Sequence, residues 1–127
     1  PRTAVVKKVI DGDTVELFNG TVLRYVGITA PEEGEDFAEE ATKLNKELVE
    51  GKEIKLEYDN YKSDKFGRIL AYAIVDDKNI SVELVQKGMA EIVVYQKRKP
   101  FIHQAQLLEA QTEARKQKLG IWKTSQS

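Results

Sequence analysis

A chain of 127 residues without cysteine is long enough to bury a core unaided, and it rules out disulfides and thiolate metal sites. A single histidine, His103, rules out a zinc centre built on several imidazoles, so any metal must be held by oxygens, which favours a hard cation such as calcium or magnesium. The formal charge of −1 excludes a protein that grips long nucleic acid by net charge alone, and no run approaches the roughly 20 apolar residues of a membrane span.

Taken from the N-terminus, residues 4–10 (AVVKKVI) and 14–17 (TVEL) are β-branched runs separated by the turn Asp11-Gly12-Asp13. Asn19-Gly20 is a favoured hairpin dipeptide and leads into a third strand, TVLRYVGI, over 21–28. Ala30-Pro31 ends the meander. In residues 32–51, Phe37, Ala41, Leu44 and Leu48 recur at helical spacing, acids crowd the first turn, and Gly51 is a natural stop. KEIKLEYD (52–59) is a fourth strand and residues 60–67 a loop. RILAYAIV (68–75) is a fifth strand, apolar on both faces and therefore central.

After a turn at 76–79, SVELVQKG reads as a short helix with Ser81 as N-cap and Gly88 as its stop. Residues 89–95 are extended, QKRKP is a basic loop, and a last helix spans about 101–119. Gly120 ends it, Ile121-Trp122 packs back on the body, and about 123–127 form a polar tail. The expectation is one mainly β domain over 1–127: a five-stranded OB-type Greek-key barrel with three helices.

Charged residues near strand ends are the candidates for chemistry. Asp11 and Asp13 flank a glycine, Arg24 interrupts an apolar strand, Glu32 follows a proline, and Arg68 opens the fifth strand. A phosphodiester hydrolase needs such parts. One acid holds a cation, another orients or deprotonates water, and two guanidinium forks neutralise the phosphoryl oxygens as charge builds. Each residue alone also has an ordinary reading: a turn acid, a solvent-facing arginine, a helix-start glutamate, a strand-edge arginine.

Four strings weigh on that choice: Ile10-Asp11-Gly12-Asp13-Thr14-Val15; Arg24-Tyr25-Val26-Gly27-Ile28-Thr29-Ala30-Pro31-Glu32; Asp64-Lys65-Phe66-Gly67-Arg68 with Leu70-Ala71-Tyr72; and Lys118-Leu119-Gly120-Ile121-Trp122. In this order and spacing the chain resembles the staphylococcal-nuclease family along essentially its whole length. The resemblance implies an OB-type barrel with three helices and calcium-dependent hydrolysis of DNA and RNA that leaves 3′-phosphates. It makes Asp13 a calcium ligand and the Ala30 carbonyl another, while Asp11 shapes the site. Arg24 and Arg68 bind the scissile phosphate, and Glu32 orients or activates the attacking water. It also implies a single-stranded substrate, a monomer, and a secreted or cell-surface location.

One position departs from the family pattern. Thr29 stands where the family has its second calcium aspartate. Affinity for a hard cation follows ligand charge, so the metal site is expected to be weakened, with water or a nearby acid from Glu32-Glu33-Gly34-Glu35-Asp36 filling the gap. The alternative is a non-catalytic domain of the same fold that binds nucleic acid or protein. For substrate grip the resemblance points to Lys65, Phe66 and Tyr95, with Phe66 either stacking on a base or capping the barrel. Lys97-Arg98-Lys99 is a compact basic run that either tracks a backbone or is a solvated loop. His103 is expected to cap or pack against the last helix.

Overall fold

The structure, a computed structural model, describes residues 2–93 and 99–123. Its elements in chain order are β1 (Thr3–Val9), β2 (Thr14–Leu17), β3 (Val22–Tyr25), β4 (Ile28–Thr29), α1 (Ala38–Val49), β5 (Glu53–Glu57), β6 (Ile69–Val75), β7 (Lys78–Asn79), α2 (Ile80–Gln86), β8 (Glu91–Ile92) and α3 (Gln104–Lys116), followed by a 3-10 turn, Gly120–Trp122.

The main sheet runs β3-β2-β1-β5-β6-β7, and a parallel β3–β6 pairing closes five of its strands into a barrel. The first strand serves two neighbours: Thr3, Ala4 and Val5 pair with β5, while Val6, Lys8 and Val9 pair with β2. A register shift between Val6 and Lys8 bends the strand where it passes from one partner to the other. Inside lie Val6, Val15, Leu17, Leu23, Tyr25, Ile54 and Tyr72, all essentially inaccessible to solvent. β6 is buried along Leu70–Ala73 and pairs with β3, β5 and β7, the central place expected of a strand apolar on both faces. The five-stranded barrel with three helices expected from the sequence is therefore present among the described residues.

Several boundaries differ. The expected third strand breaks at Gly27, whose φ of 86° lies outside the β region; the chain turns there, and Ile28 and Thr29 pair instead with β8. The first helix begins at Ala38 rather than near Glu32, because Phe37 sits at φ 70° and cannot extend the helix toward the N-terminus. The cap of α2 is Asn79, whose Oδ1 accepts the Ser81 N–H at 2.9 Å, and not Ser81. Ser81 is buried instead, and its hydroxyl donates to the Val26 carbonyl at 3.2 Å. The last helix is also shorter than expected, Gln104–Lys116. Lys118 at φ 54° ends it, with Leu119 N–H donating to Ala114 and Lys118 N–H to Arg115 in a Schellman arrangement.

Of the extended run expected at 89–95, Glu91–Ile92 is strand, and residues 94–98 lie outside the described residues. Ile121-Trp122 packs back as expected: the Ile121 N–H donates to the Gly88 carbonyl at 2.8 Å, and Arg115 lies 5.2 Å from the Trp122 ring.

Candidate active site

The turn joining β1 to β2 is built to present one carboxylate. Asp11 Oδ1 accepts the Asp13 N–H at 3.0 Å, the short-range contact that makes aspartate a turn residue. Gly12 is wedged: a Cβ there would lie 2.7 Å from the Ala30 Cβ and 2.8 Å from the Ala41 Cβ, so any side chain would push the turn off β4 and α1. Asn45, fully buried on α1, donates from Nδ2 to the Asp11 carbonyl at 2.9 Å and accepts the Tyr25 hydroxyl at 2.6 Å. That hydroxyl is held well above its ordinary pKa, chiefly by burial. Burial also raises the Asp11 carboxyl, and the neighbouring Asp13 adds to the effect.

Asp13 itself is 6% exposed and engaged by donors from three segments of the chain. The Thr14 hydroxyl donates to Oδ1 at 2.8 Å, the Ala30 N–H donates to Oδ2 at 2.8 Å, and Arg24 Nη2 lies 3.4 Å from the same Oδ2. Burying a carboxylate is tolerable only with such pairing.

Arg24 stands on β3 between Thr14 on β2 and Leu70 on β6 in register. Alternation turns Leu23 and Tyr25 inward and Arg24 outward. Arg68 precedes β6, beside β3 in the parallel pair, so both guanidinium groups reach the same side of the barrel. They line one groove of about 350 Å³ together with Thr29, Asp64, Lys65 and Phe66.

Within the groove, Asp64 organises the loop. Its Oδ1 accepts the Phe66 N–H at 2.9 Å and the Arg68 N–H at 3.0 Å, and its Oδ2 accepts Arg68 Nε at 2.6 Å. Partial burial pushes the Asp64 carboxyl up, but these donors and the guanidinium charge outweigh it and hold the group below the usual carboxylate range. Phe66 is 71% exposed and so does not cap the barrel. Lys65 Nζ and the Arg68 guanidinium lie 5.3 and 5.4 Å from its ring centroid.

Thr29 also lines a second cavity of about 540 Å³, shared with Ala30, Glu32, Glu35 and Glu91. Glu32 is exposed, and its N–H donates to Glu35 Oε1 at 2.6 Å. Glu91 faces Thr29 directly across the β4–β8 ladder, on the same side of it. The site is thus two-sided about Thr29, with arginines and a lysine on one side and carboxylates on the other.

The donors at Asp13 test the fit of a hard cation. All available ligands are oxygens, and Asp13 Oδ1 keeps a lone pair beyond the Thr14 hydrogen bond. Among the described residues no group of three or more acidic or histidine side chains is close enough to enclose a metal. Calcium takes about six to eight oxygens. The residues fit a cation held by few protein ligands, with water or a phosphate completing its shell.

Of the site residues expected from the sequence, Arg24, Lys65, Phe66 and Arg68 share the groove, and Asp13 touches Arg24 and Ala30. Ala30 and Glu32 line the adjoining cavity. Tyr95, Lys97 and Arg98 lie outside the described residues; Lys99 is exposed, and its carbonyl accepts the Tyr61 hydroxyl at 2.7 Å. His103 occupies the N-cap position of α3 without a side-chain cap bond. It packs instead, its Nε2 3.0 Å from Glu57 Oε1 and its ring 4.8 Å from that of Tyr72. Asp64, Asn45 and Glu91 were not singled out for a role. The four-residue step from Asp64 to Arg68 was visible in the sequence; the partners of Asn45 and Glu91 were not, since they are set by packing and strand register.

Comparison with known proteins agrees with the strings and the barrel. Residues 22–124 match the model of the family described as staphylococcal nuclease homologue. The chain is 37% identical over 129 residues to "Endonuclease YncB" of Bacillus subtilis (strain 168), an alignment spanning 93% of this chain and 60% of that protein. It is 36% identical to "SPbeta prophage-derived endonuclease YokF" of the same organism, over 91% of this chain and 42% of that one. The chain thus spans less than two thirds of these two relatives. With "Thermonuclease" of Staphylococcus intermedius it shares 31% identity over 93% of this chain and 74% of the relative. From the matched family model, this last alignment and the closed barrel with its paired arginines, the chain belongs to the staphylococcal nuclease family.

Proposed function

We propose that this domain is a nuclease: a phosphodiesterase that hydrolyses DNA and RNA, single strands in preference, as a monomer, with calcium as cofactor and 3′-phosphates as products. The observation that carries this reading is the placement of Arg24 on β3 and of Arg68 immediately before β6, two strands paired in parallel, so that both line one groove with Lys65 and Phe66. The names of the relatives, endonuclease and thermonuclease, support the same reaction class.

In this mechanism the two guanidinium groups grip the non-bridging oxygens of the scissile phosphate and become more effective as charge accumulates in the transition state. Lys65 adds positive charge, and the exposed Phe66 ring offers a face for a base. Glu32, across Thr29 from the arginines, orients or deprotonates the water that attacks in line while the 5′-oxygen leaves. Asp13 and the Ala30 carbonyl would hold calcium, which would supply further charge neutralisation there. Thr29 supplies no charge to that shell, so the domain is expected to need more calcium than one with a carboxylate there.

The test is cleavage of denatured DNA at alkaline pH with millimolar calcium. Activity that Arg68→Ala abolishes supports the reading. No cleavage by the parent protein, or equal cleavage by both proteins, overturns it.

A second reading is favoured by the donors already satisfying Asp13 and by the neutral Thr29: a non-catalytic member of the family that binds nucleic acid or protein. Calcium titration in the presence of a nucleoside 3′,5′-bisphosphate separates the two, since the module would show no calcium binding.

A further inference from the structure

We infer that Asp64 is the positioning residue for Arg68, committing Nε to a carboxylate so that the two terminal nitrogens of the guanidinium face the phosphate. This rests on the nuclease reading above for its consequence, but not for its geometry. One oxygen, Oδ2, holds Nε at 2.6 Å, the shortest contact recorded for either arginine of the groove. The other, Oδ1, holds the backbone N–H groups of Phe66 and Arg68 and so shapes the loop that carries the guanidinium. Asp64 therefore fixes both the root and the neck of the same side chain.

Among the described residues the only recorded ion-pair partner of Arg68 is Asp64, and its only other recorded side-chain contact is the Phe66 ring at 5.4 Å. The terminal nitrogens are left for a ligand. A guanidinium anchored at Nε presents its outer edge as a planar, two-donor fork, the shape that matches two phosphate oxygens. Arg24 differs. It meets its aspartate through a terminal nitrogen, Nη2, at the longer distance of 3.4 Å, so one of its fork positions is already shared. The two arginines are thus unequal: Arg68 is aimed, whereas Arg24 must yield a donor when phosphate arrives.

Asp64→Asn separates the two jobs of the carboxylate. The amide oxygen still accepts the Phe66 and Arg68 backbone N–H groups, so the loop persists. The amide NH2 replaces Oδ2 and meets the Nε–H donor against donor, which releases the guanidinium. NMR and steady-state kinetics on denatured DNA give the readout. In Asp64→Asn the backbone amide signals of residues 66 and 68 stay near their parent positions, while the Arg68 Nε–H signal loses its protection from exchange. The kcat falls about tenfold to a hundredfold, the scale expected for a misplaced catalytic group, with a smaller change in KM than in Arg68→Ala.

An unchanged Nε–H signal in Asp64→Asn overturns the inference, as does a released Nε–H with parental kcat. If the parent protein cleaves no nucleic acid, the nuclease reading fails separately. The positioning role is then decided by the Nε–H signal together with calorimetric affinity for a nucleoside 3′,5′-bisphosphate: loss of both in Asp64→Asn upholds it, and retention of either overturns it.

Discussion

At position 29 a neutral hydroxyl stands where the groove of arginines meets the cavity of carboxylates, directly across the ladder from Glu91. Adding a charge there strengthens a hard-cation site, because affinity follows the charge of the ligands. On the proposed calcium-dependent reading, Thr29→Asp is expected to tighten calcium binding by about tenfold or more, equivalent to about 1.4 kcal/mol, measured by calorimetry. An unaltered or weaker affinity would mean that calcium does not occupy the neighbourhood of Thr29. Behind the site, Tyr25→Phe removes the donor to the buried Asn45 Oδ1. It should cost about 1 to 2 kcal/mol in urea unfolding, since the acceptor is left without its partner and without water. Asp13, Arg24 and Arg68 could be found in the sequence because a charge beside a glycine or inside an apolar strand stands out. Asn45 could not, because its value comes from a hydrogen bond across 34 positions.

The elements were legible wherever apolar spacing is long and regular, as in β6, and less so where the backbone leaves its usual region. The split of the third strand and the late start of α1 were missed for that reason: Gly27 and Phe37 adopt positive φ, which hydrophobic periodicity does not encode. The cap of α2 was misplaced by two residues because Ser81 has the chemistry of a cap, but its hydroxyl is needed at the Val26 carbonyl. Asn79→Ala is expected to destabilise the protein by about 1 kcal/mol, seen as a lower Tm, whereas Ser81→Ala should act through its lost buried contact rather than through the helix end. At the other end of α2, Gly88 has φ 76°, and a Cβ there would run into the backbone of Leu119. Gly88→Ala should therefore destabilise by more than about 1 kcal/mol, the upper size of the gain that the same change brings where the backbone suits alanine.

For the molecule as a whole, net charge is a poor guide to what it binds. The formal balance of −1 conceals a groove in which Arg24, Lys65 and Arg68 outnumber Asp64. If single-stranded nucleic acid lies in that groove, Lys65→Ala should make the logarithmic dependence of affinity on salt shallower by about 0.7, the contribution of one phosphate contact to a single strand. Fluorescence titration over a range of salt concentrations measures the slope; a mutant with the parental slope would place the strand elsewhere. Stability also carries a pH signature. The folded carboxyl of Asp64 is depressed below its unfolded value, so the unfolded chain binds its proton first on acidification. Its contribution is fully present above the ordinary aspartate range and is lost as pH falls through that range to the folded value. Urea unfolding across acidic pH should show Asp64→Asn losing less stability than the parent between neutral and acid conditions.

Gly12 has room for no side chain between Ala30 and Ala41. The turn bearing Asp13 is accordingly keyed to the helix behind it, and the helix to the end of β4. A lever of this kind works in both directions: loosening α1 at a distance, for instance at the wholly buried Val49, would be felt at the carboxylate as a change of aim. On the nuclease reading, heating should then erode cleavage of denatured DNA before the barrel itself comes apart.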